Sequence, residues 1–327
     1  MQNSIVVQNS VTINSMHELA NRFAEYIDVS KLSMKSYNSG VRKFIAFLHE
    51  KGINVPTRET VLLYKKTLTE KYSASTVALY LSALRRFFSW CETEGLYPNI
   101  TNGVKSPKMS HEHKRDAFSA EELNGIITGM KHNTLEAKRN YAIFTLIACT
   151  GLRTIEVSRA NVGDIHRVAG VWVLDVQGKG HSAKDQFVKL AQPVKEAIDE
   201  YLNARGHVRG NEPLFASCSR RNKGGRLTTR TISQVCKNTM IHAGYNSHRL
   251  TAHSLRHSAI TLALLEGQAL DDVSAFARHS SISVTMIYNH AINRMQSLCE
   301  GAIARAIFKG EKCNANSKGY RQLYKRA

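Results

Sequence analysis

No C-x-x-C pair occurs in this chain of 327 residues: its six cysteines, Cys91, Cys149, Cys218, Cys236, Cys299 and Cys313, are scattered. The spacing offers neither the paired ligands of a zinc site nor a redox dithiol, and reads as reduced thiols in a cytoplasm. His111 and His113 in SHEHKRD are too few, and too far from any cysteine pair, for a metal centre, so that stretch reads as a solvated linker. A long apolar run is missing as well. Even YAIFTLIAC is bounded by Arg139 and Arg153, so no membrane partner is expected. The opening residues carry no signal-peptide pattern, which again points to a cytoplasmic protein. Acidic residues are scarce: 26 Asp and Glu stand against 45 Lys and Arg, a formal net charge of +19. An excess of that size gathers a polyanion, and nucleic acid is the leading partner.

The chain has room for two domains that each bury a core. Residues 1–14 are polar and without a clear period, and read as a flexible lead. Residues 15–106 read as a bundle of about four helices. In SMKSYNSGVRKFIAFLHEKG the positions Tyr37, Val41, Phe44, Ile45 and Leu48 share one face, with Ser33 as cap and Gly52 as stop. Val77, Tyr80, Leu81, Leu84, Phe87, Phe88 and Cys91 repeat the pattern before Gly95. Lys35, Arg42, Lys43, Arg85 and Arg86 lie off these stripes. Each alone is an ordinary solvated side chain; as a set on a basic chain they read as phosphate contacts with DNA.

Residues 107–117 change character, with Pro107 and a run of charge, and read as a linker. It is either a basic strap along a DNA backbone or an inert tether. A second, helix-rich domain is expected over 118–310, restarting at Ser119 with Glu122 in the capping-box position. VWVLDVQGKGHSAKDQFVKL breaks the helical period and reads as a β-hairpin. Residues 311–327 form a basic tail.

The second domain carries the chemistry. Arg153 in TGLRTIEVSR follows a Gly at a turn, where its planar fork can hold two phosphate oxygens; Glu156 is placed to orient it. His253 and Arg256 in HSLRH are three apart near a helix start, while His257 falls one residue off that face and reads as structural. Lys179, between Gly178 and Gly180 at the hairpin tip, can give a proton to a leaving oxygen, with Lys184 as rival. Tyr288 in HSSISVTMIYNH follows His279. Val284, Ile287 and Ile292 are expected to satisfy the core side of that helix, with Ser283 as its cap, which leaves the tyrosine for another purpose. A phenol is a weak nucleophile, so it needs cations and a proton acceptor, for which His253 is the candidate.

Together, ASTVALYLSALRRFFSWCETEGL, TGLRTIEVSRANVGDI, VQGKG, TAHSLRHSAITLALLEG and ARHSSISVTMIYNH resemble, in order, the core-binding domain and catalytic boxes of the tyrosine recombinase, or phage integrase, family, in its Xer-like and simple transposon-type members. The resemblance spans nearly the whole chain. It implies a mainly α fold: an N-terminal SAM-like helical core-binding domain, then an α-rich catalytic domain with a small β-hairpin or sheet. It implies a clamp on double-stranded DNA with inverted-repeat core sites and transfer through a 3′-phosphotyrosyl intermediate. Arg153 and Arg256 would neutralise the phosphate, Lys179 would be the general acid, His253 would manage the tyrosine proton, His279 would bond the phosphate and Tyr288 would attack. No cofactor and no metal is called for.

Strand exchange in the family uses four protomers, here a homo- or hetero-tetramer joined through the helix near residues 291–308, with an accessory protein that sets direction. Ala277 and Arg278 stand where the family usually has Leu-Gly. A relaxing enzyme of the type IB topoisomerase kind, or a non-cleaving DNA-binding regulator on the same scaffold, are the alternatives.

Overall fold

Hydrophobic periodicity and serine caps decide where the first helices begin and end. The computed structural model describes residues 13–108, 117–178, 180–296 and 299–308, and residue contacts divide the chain into two compact units, Met1–His111 and Glu112–Ala327. In the first unit α1 (Ile13–Tyr26) begins just inside the stretch read as a lead. It is followed by α2 (Lys31–Lys51), α3 (Arg58–Lys71) and α4 (Ala74–Thr93). The α2 cap is Ser30, whose side chain accepts from the Ser33 N–H at 3.3 Å, so the helix starts one turn earlier than Ser33 suggested. Gly52 ends it in the left-handed conformation, φ 65°. Phe44, Leu48, Leu81, Leu84, Phe87 and Phe88 fill the core between these helices, and each buried side chain of this size contributes roughly 1.5–3 kcal/mol. At Gly40, α2 and α4 come so close that a Cβ would lie 2.7 Å from that of Ala83.

The second unit is built around α6 (Leu135–Thr150), in which Ala142, Ile143, Phe144, Leu146 and Ile147 are all fully buried. A helix apolar on every side must be covered on every side. Packed against it are α8 (Gln192–Arg205), α9 (Thr229–His242) and α10 (Ala252–Leu265), with α5 (Ala120–Gly129) entering through a Ser119–Glu122 capping box. After α7 (Thr154–Arg159), a three-stranded antiparallel sheet runs in the order β1 (Ile165–Val168), β2 (Val171–Val176), β3 (Gln186–Lys189).

The β2–β3 pair is the hairpin expected, and β1 is an addition to it. Strand β1 is four largely exposed residues with no alternation to betray it, joined to β2 through Ala169 and Gly170, both at positive φ (48° and 80°) as a tight primed turn requires. Among the described residues the last elements are α11 (Leu270–Ala277), α12 (Ile282–Gln296) and α13 (Cys299–Ile307). Helix α12 runs unbroken through Asn289. Among the described residues no helix is long and apolar enough to cross a membrane. This mainly helical fold with one small sheet is the class expected.

Candidate active site

The site begins where α6 stops. Gly151 takes the left-handed conformation at φ 60°, and a Cβ there would lie 3.4 Å from the ring of Phe276. That distance is ordinary contact, so it is the left-handed turn that favours glycine here. Two residues later Arg153 occupies the N-cap of α7, and its backbone N–H donates to Glu156 Oε2 at 2.7 Å. Its Nη1 donates to Glu156 Oε1 at 2.9 Å, and its Nη2 to the carbonyl of Arg278 at 3.3 Å. Glu156 is wholly buried, whereas the Arg153 side chain keeps 28% of its surface exposed, so the guanidinium is fixed from behind and accessible in front.

Helix α10 delivers the second arginine. Arg256 is buried, with Nη1 donating to the Gly151 carbonyl at 2.6 Å and Nη2 to the Ala277 carbonyl. His253, in the first turn of α10, is exposed, and its ring meets that of His257 edge-on at 4.7 Å between centroids. His257 in turn reaches the tyrosine: its Nδ1 lies 2.5 Å from Tyr288 Oη. The histidine against the phenol is thus His257 rather than the expected His253; counted from Arg256, His257 falls off the helix face. Measured from His253 the spacing is i, i+4, one face of a helix, and that signal was present.

The turn between α11 and α12 closes the site. Tyr288 is 8% exposed and packs with Ile260, Val273 and Ala277. Val284 and Ile287, expected in the core, are instead 41% and 38% exposed; the inner side of α12 is Thr285 and Tyr288. Ser281 rather than Ser283 accepts at the start of this helix, from the Ser283 N–H at 3.3 Å. Thr285 Oγ1 pairs with His279 Nδ1 at 2.8 Å. When the threonine hydroxyl donates, the imidazole keeps its proton on Nε2 and can offer it to an anion. Nothing in the sequence singled out Thr285.

Arg278, which stands where the family usually has Gly, is part of this corner. It holds the left-handed C-cap of α11 at φ 52°, a conformation costing a residue with a Cβ about 1–2 kcal/mol. Its side chain is 4% exposed and donates to Phe276 O at 2.6 Å, Gly151 O at 3.3 Å and Glu156 Oε2 at 3.3 Å.

Two guanidinium groups, those of Arg153 and Arg278, therefore share one carboxylate, with that of Arg256 close by, in a place largely shielded from water. Burial, then the charges of Arg153 and Arg278, pull Arg256 down to about 9. Burial, then Arg256, Arg153 and Arg278, pull His279 down to about 4, which makes its imidazole neutral at physiological pH. Burial pushes the Glu156 carboxyl up, but Arg278 and the Arg153 N–H and guanidinium outweigh it and hold the group below its ordinary value. The locus is short of negative charge, which a phosphate would supply.

Lys179 lies outside the described residues. Next to it the Gly178 carbonyl accepts from Arg159 Nη1 at 3.0 Å. The rival, Lys184, is paired with Asp164 Oδ2 at 2.5 Å. In the first unit Lys35, Arg42 and Lys43 are exposed along one groove of α2 with Asn38 and Ser39, and Lys43 Nζ sits 5.5 Å from the Tyr72 ring centroid. Arg86 lies over Tyr37. Arg85 differs from the other four, being half-buried with Nη2 donating to Val104 O at 2.7 Å and Ser106 Oγ at 3.1 Å, which ties α4 to the segment that follows. Among the described residues no group of three or more His, Cys, Asp or Glu is placed to hold a metal ion.

Residues 117–294 match the phage integrase family, and residues 20–95 the N-terminal SAM-like domain of phage integrases. The tyrosine recombinase XerC of Haemophilus influenzae is 30% identical over 281 residues, covering 83% of this chain and 91% of the relative. Among solved structures, the XerH site-specific recombinase bound to a palindromic difH substrate in a post-cleavage complex superposes with a TM-score of 0.68 at 21% identity, covering 88% of this chain and 85% of that one. A lambda integrase tetramer bound to a Holliday junction gives 0.64 at 17%, covering 86% and 78%.

Proposed function

The chain belongs to the phage integrase family, and we propose that within it this protein is a site-specific DNA recombinase whose nucleophile is Tyr288. It breaks and rejoins DNA strands. The observation that carries the assignment of the nucleophile is the convergence of Tyr288, His257, Arg153, Arg256 and His279 on one buried corner, with the phenol oxygen 2.5 Å from an imidazole nitrogen.

In this reading Arg153, held by Glu156, and Arg256, held by two backbone carbonyls, donate to the non-bridging oxygens of the scissile phosphate. Both are fixed before the substrate arrives, so little reorganisation is needed as charge develops. His279, neutral and with Nδ1 engaged by Thr285, adds a donor from Nε2. Tyr288 Oη attacks phosphorus as His257 takes its proton, with His253 beside it on the exposed side. The bond to the 5′ oxygen breaks, and Lys179 supplies that oxygen with a proton. The products are a 3′-phosphotyrosyl ester and a free 5′ hydroxyl. A 5′ hydroxyl from a partner strand then attacks the ester and the proton returns to Tyr288. Because the ester retains the energy of the phosphodiester, rejoining needs no nucleotide.

We assign residues 15–106 to core-site binding, with Lys35, Arg42, Lys43 and Arg86 on phosphates and Arg85 positioning the backbone. Residues 118–310 form the catalytic domain. Assembly as a tetramer on paired inverted-repeat sites, with α13 docking on a neighbour, draws support from the exposed Ile303, Ile307 and Phe308 on and beside that helix and from the lambda integrase tetramer. A cytoplasmic role in moving a mobile element, with an accessory protein that sets direction, fits the same reading.

The test is a plasmid carrying two copies of a core site selected by this protein from random duplexes. The parent should yield the deletion or inversion product, and Tyr288→Phe none. Relaxation of supercoils without exchange between sites would contradict recombination.

A further inference from the structure

In the corner just described, one carboxylate faces two arginines. Glu156 is fully buried; Oε1 accepts from Arg153 Nη1, and Oε2 accepts from the Arg153 N–H and from Arg278 Nη2. The Arg278 carbonyl accepts from Arg153 Nη2, so Arg153, Glu156 and Arg278 form a closed ring of contacts through both side chain and backbone. A buried carboxylate paired with Arg153 alone would cancel much of that arginine's pull on a phosphate. A second guanidinium on the same carboxylate restores it.

Arginine at 278 carries two costs. Its backbone is left-handed at φ 52°, and its Nε is buried without a hydrogen-bond partner among the described residues. Glycine would remove both. What only arginine supplies is the fork that spans the Gly151 carbonyl, the Phe276 carbonyl and Glu156.

We propose that Arg278 is a positioning residue of the phosphate site: it takes up the second oxygen of Glu156 and so leaves the charge of Arg153 available to a non-bridging phosphate oxygen. The inference deepens the recombinase reading and rests on it for the identity of the anion, yet it is testable without DNA. The probe is tungstate, a phosphate-like dianion, titrated calorimetrically into the full chain in the parent, Arg278→Gly, Arg278→Gln, Arg278→Lys and the double variant Arg278→Gly with Glu156→Gln, with thermal midpoints recorded for each.

Arg278→Gly should bind tungstate about tenfold more weakly than the parent, with its midpoint set by relief of the left-handed backbone against the loss of three hydrogen bonds. Arg278→Gln, which keeps the length and loses the charge, carries the same expectation should the glycine variant fail to fold. Arg278→Lys should stay within about threefold of the parent, and adding Glu156→Gln to Arg278→Gly should recover most of the loss. A purely structural role would show no such recovery. Parent-like binding by the uncharged variants, a double variant no better than Arg278→Gly, or no tungstate binding by the parent each overturns the proposal. Failure of the recombinase reading shows separately, as absence of a Tyr288–DNA adduct in the parent.

Discussion

Tyr288 Oη and His257 Nδ1 lie 2.5 Å apart, and the second histidine of the HSLRH box is thereby the tyrosine's partner. The contact joins α10 to α12, and with the imidazole proton on Nε2 it is the phenol that donates. His257→Ala should lower single-turnover cleavage of a selected core site by about 10²-fold or more, the usual worth of a general base, while DNA affinity is unchanged. His253→Ala should lose less. Quench-flow measurement of adduct formation ranks the two, and the reverse order would return the proton to His253.

His279 sets a pH dependence of stability. His279 titrates near 4 in the folded protein against 6.5 for the free side chain, because burial and then Arg256, Arg153 and Arg278 disfavour its charged form. The unfolded chain therefore binds the proton first. The contribution is complete above about 6.5, is lost as pH falls from there towards about 4, and falls no further below that. Relative to His279→Gln, the parent's thermal midpoint should drop across that window; parallel curves would contradict it. Thr285→Val should slow cleavage about fivefold, the equivalent of one hydrogen bond near 1 kcal/mol.

Salt dependence separates the basic residues of the first unit. Replacing Lys35, Arg42 and Lys43 together by alanine should flatten the slope of log affinity against log salt by up to about three units, one for each lost phosphate contact. Arg85→Ala should instead lower the thermal midpoint, because its guanidinium holds the Val104 carbonyl at 2.7 Å. Equal slopes for parent and triple variant, measured by fluorescence anisotropy, would move the DNA to another face.

Gly151→Ala should cost about 1–2 kcal/mol of unfolding free energy, for the left-handed backbone alone. Relief of that backbone strain should shift the Gly151 carbonyl that anchors Arg256, whereas the Phe276 ring, 3.4 Å from the added methyl, is in ordinary contact. Chemical denaturation measures the first effect and the cleavage rate the second; loss of neither would contradict the part given to this corner.

The helical bundle, its stop at Gly52 and the mainly α second unit were legible because apolar residues recur at helical spacing and glycine or serine marks the ends. Strand β1 was not, since four exposed residues carry no alternation. On α12 the sequence put Val284 and Ile287 inward on hydrophobicity alone; the helix instead turns Thr285 and Tyr288 inward, since both are bound to histidines from elsewhere in the unit. Arg153, Arg256, His279 and Tyr288 could be named from their residue types and order. Arg278 and Thr285 could not, because an arginine in a left-handed turn and a threonine on an amphipathic helix take their meaning from the partners the fold brings to them.

The most direct test is to trap the protein on a nicked core-site duplex, digest the adduct with protease and nuclease, and locate the attached nucleotide by mass spectrometry. The expected result is a 3′-phosphonucleotide on the peptide bearing Tyr288, and no adduct from Tyr288→Phe. A nucleotide on another residue, or an adduct that survives the phenylalanine substitution, would contradict it.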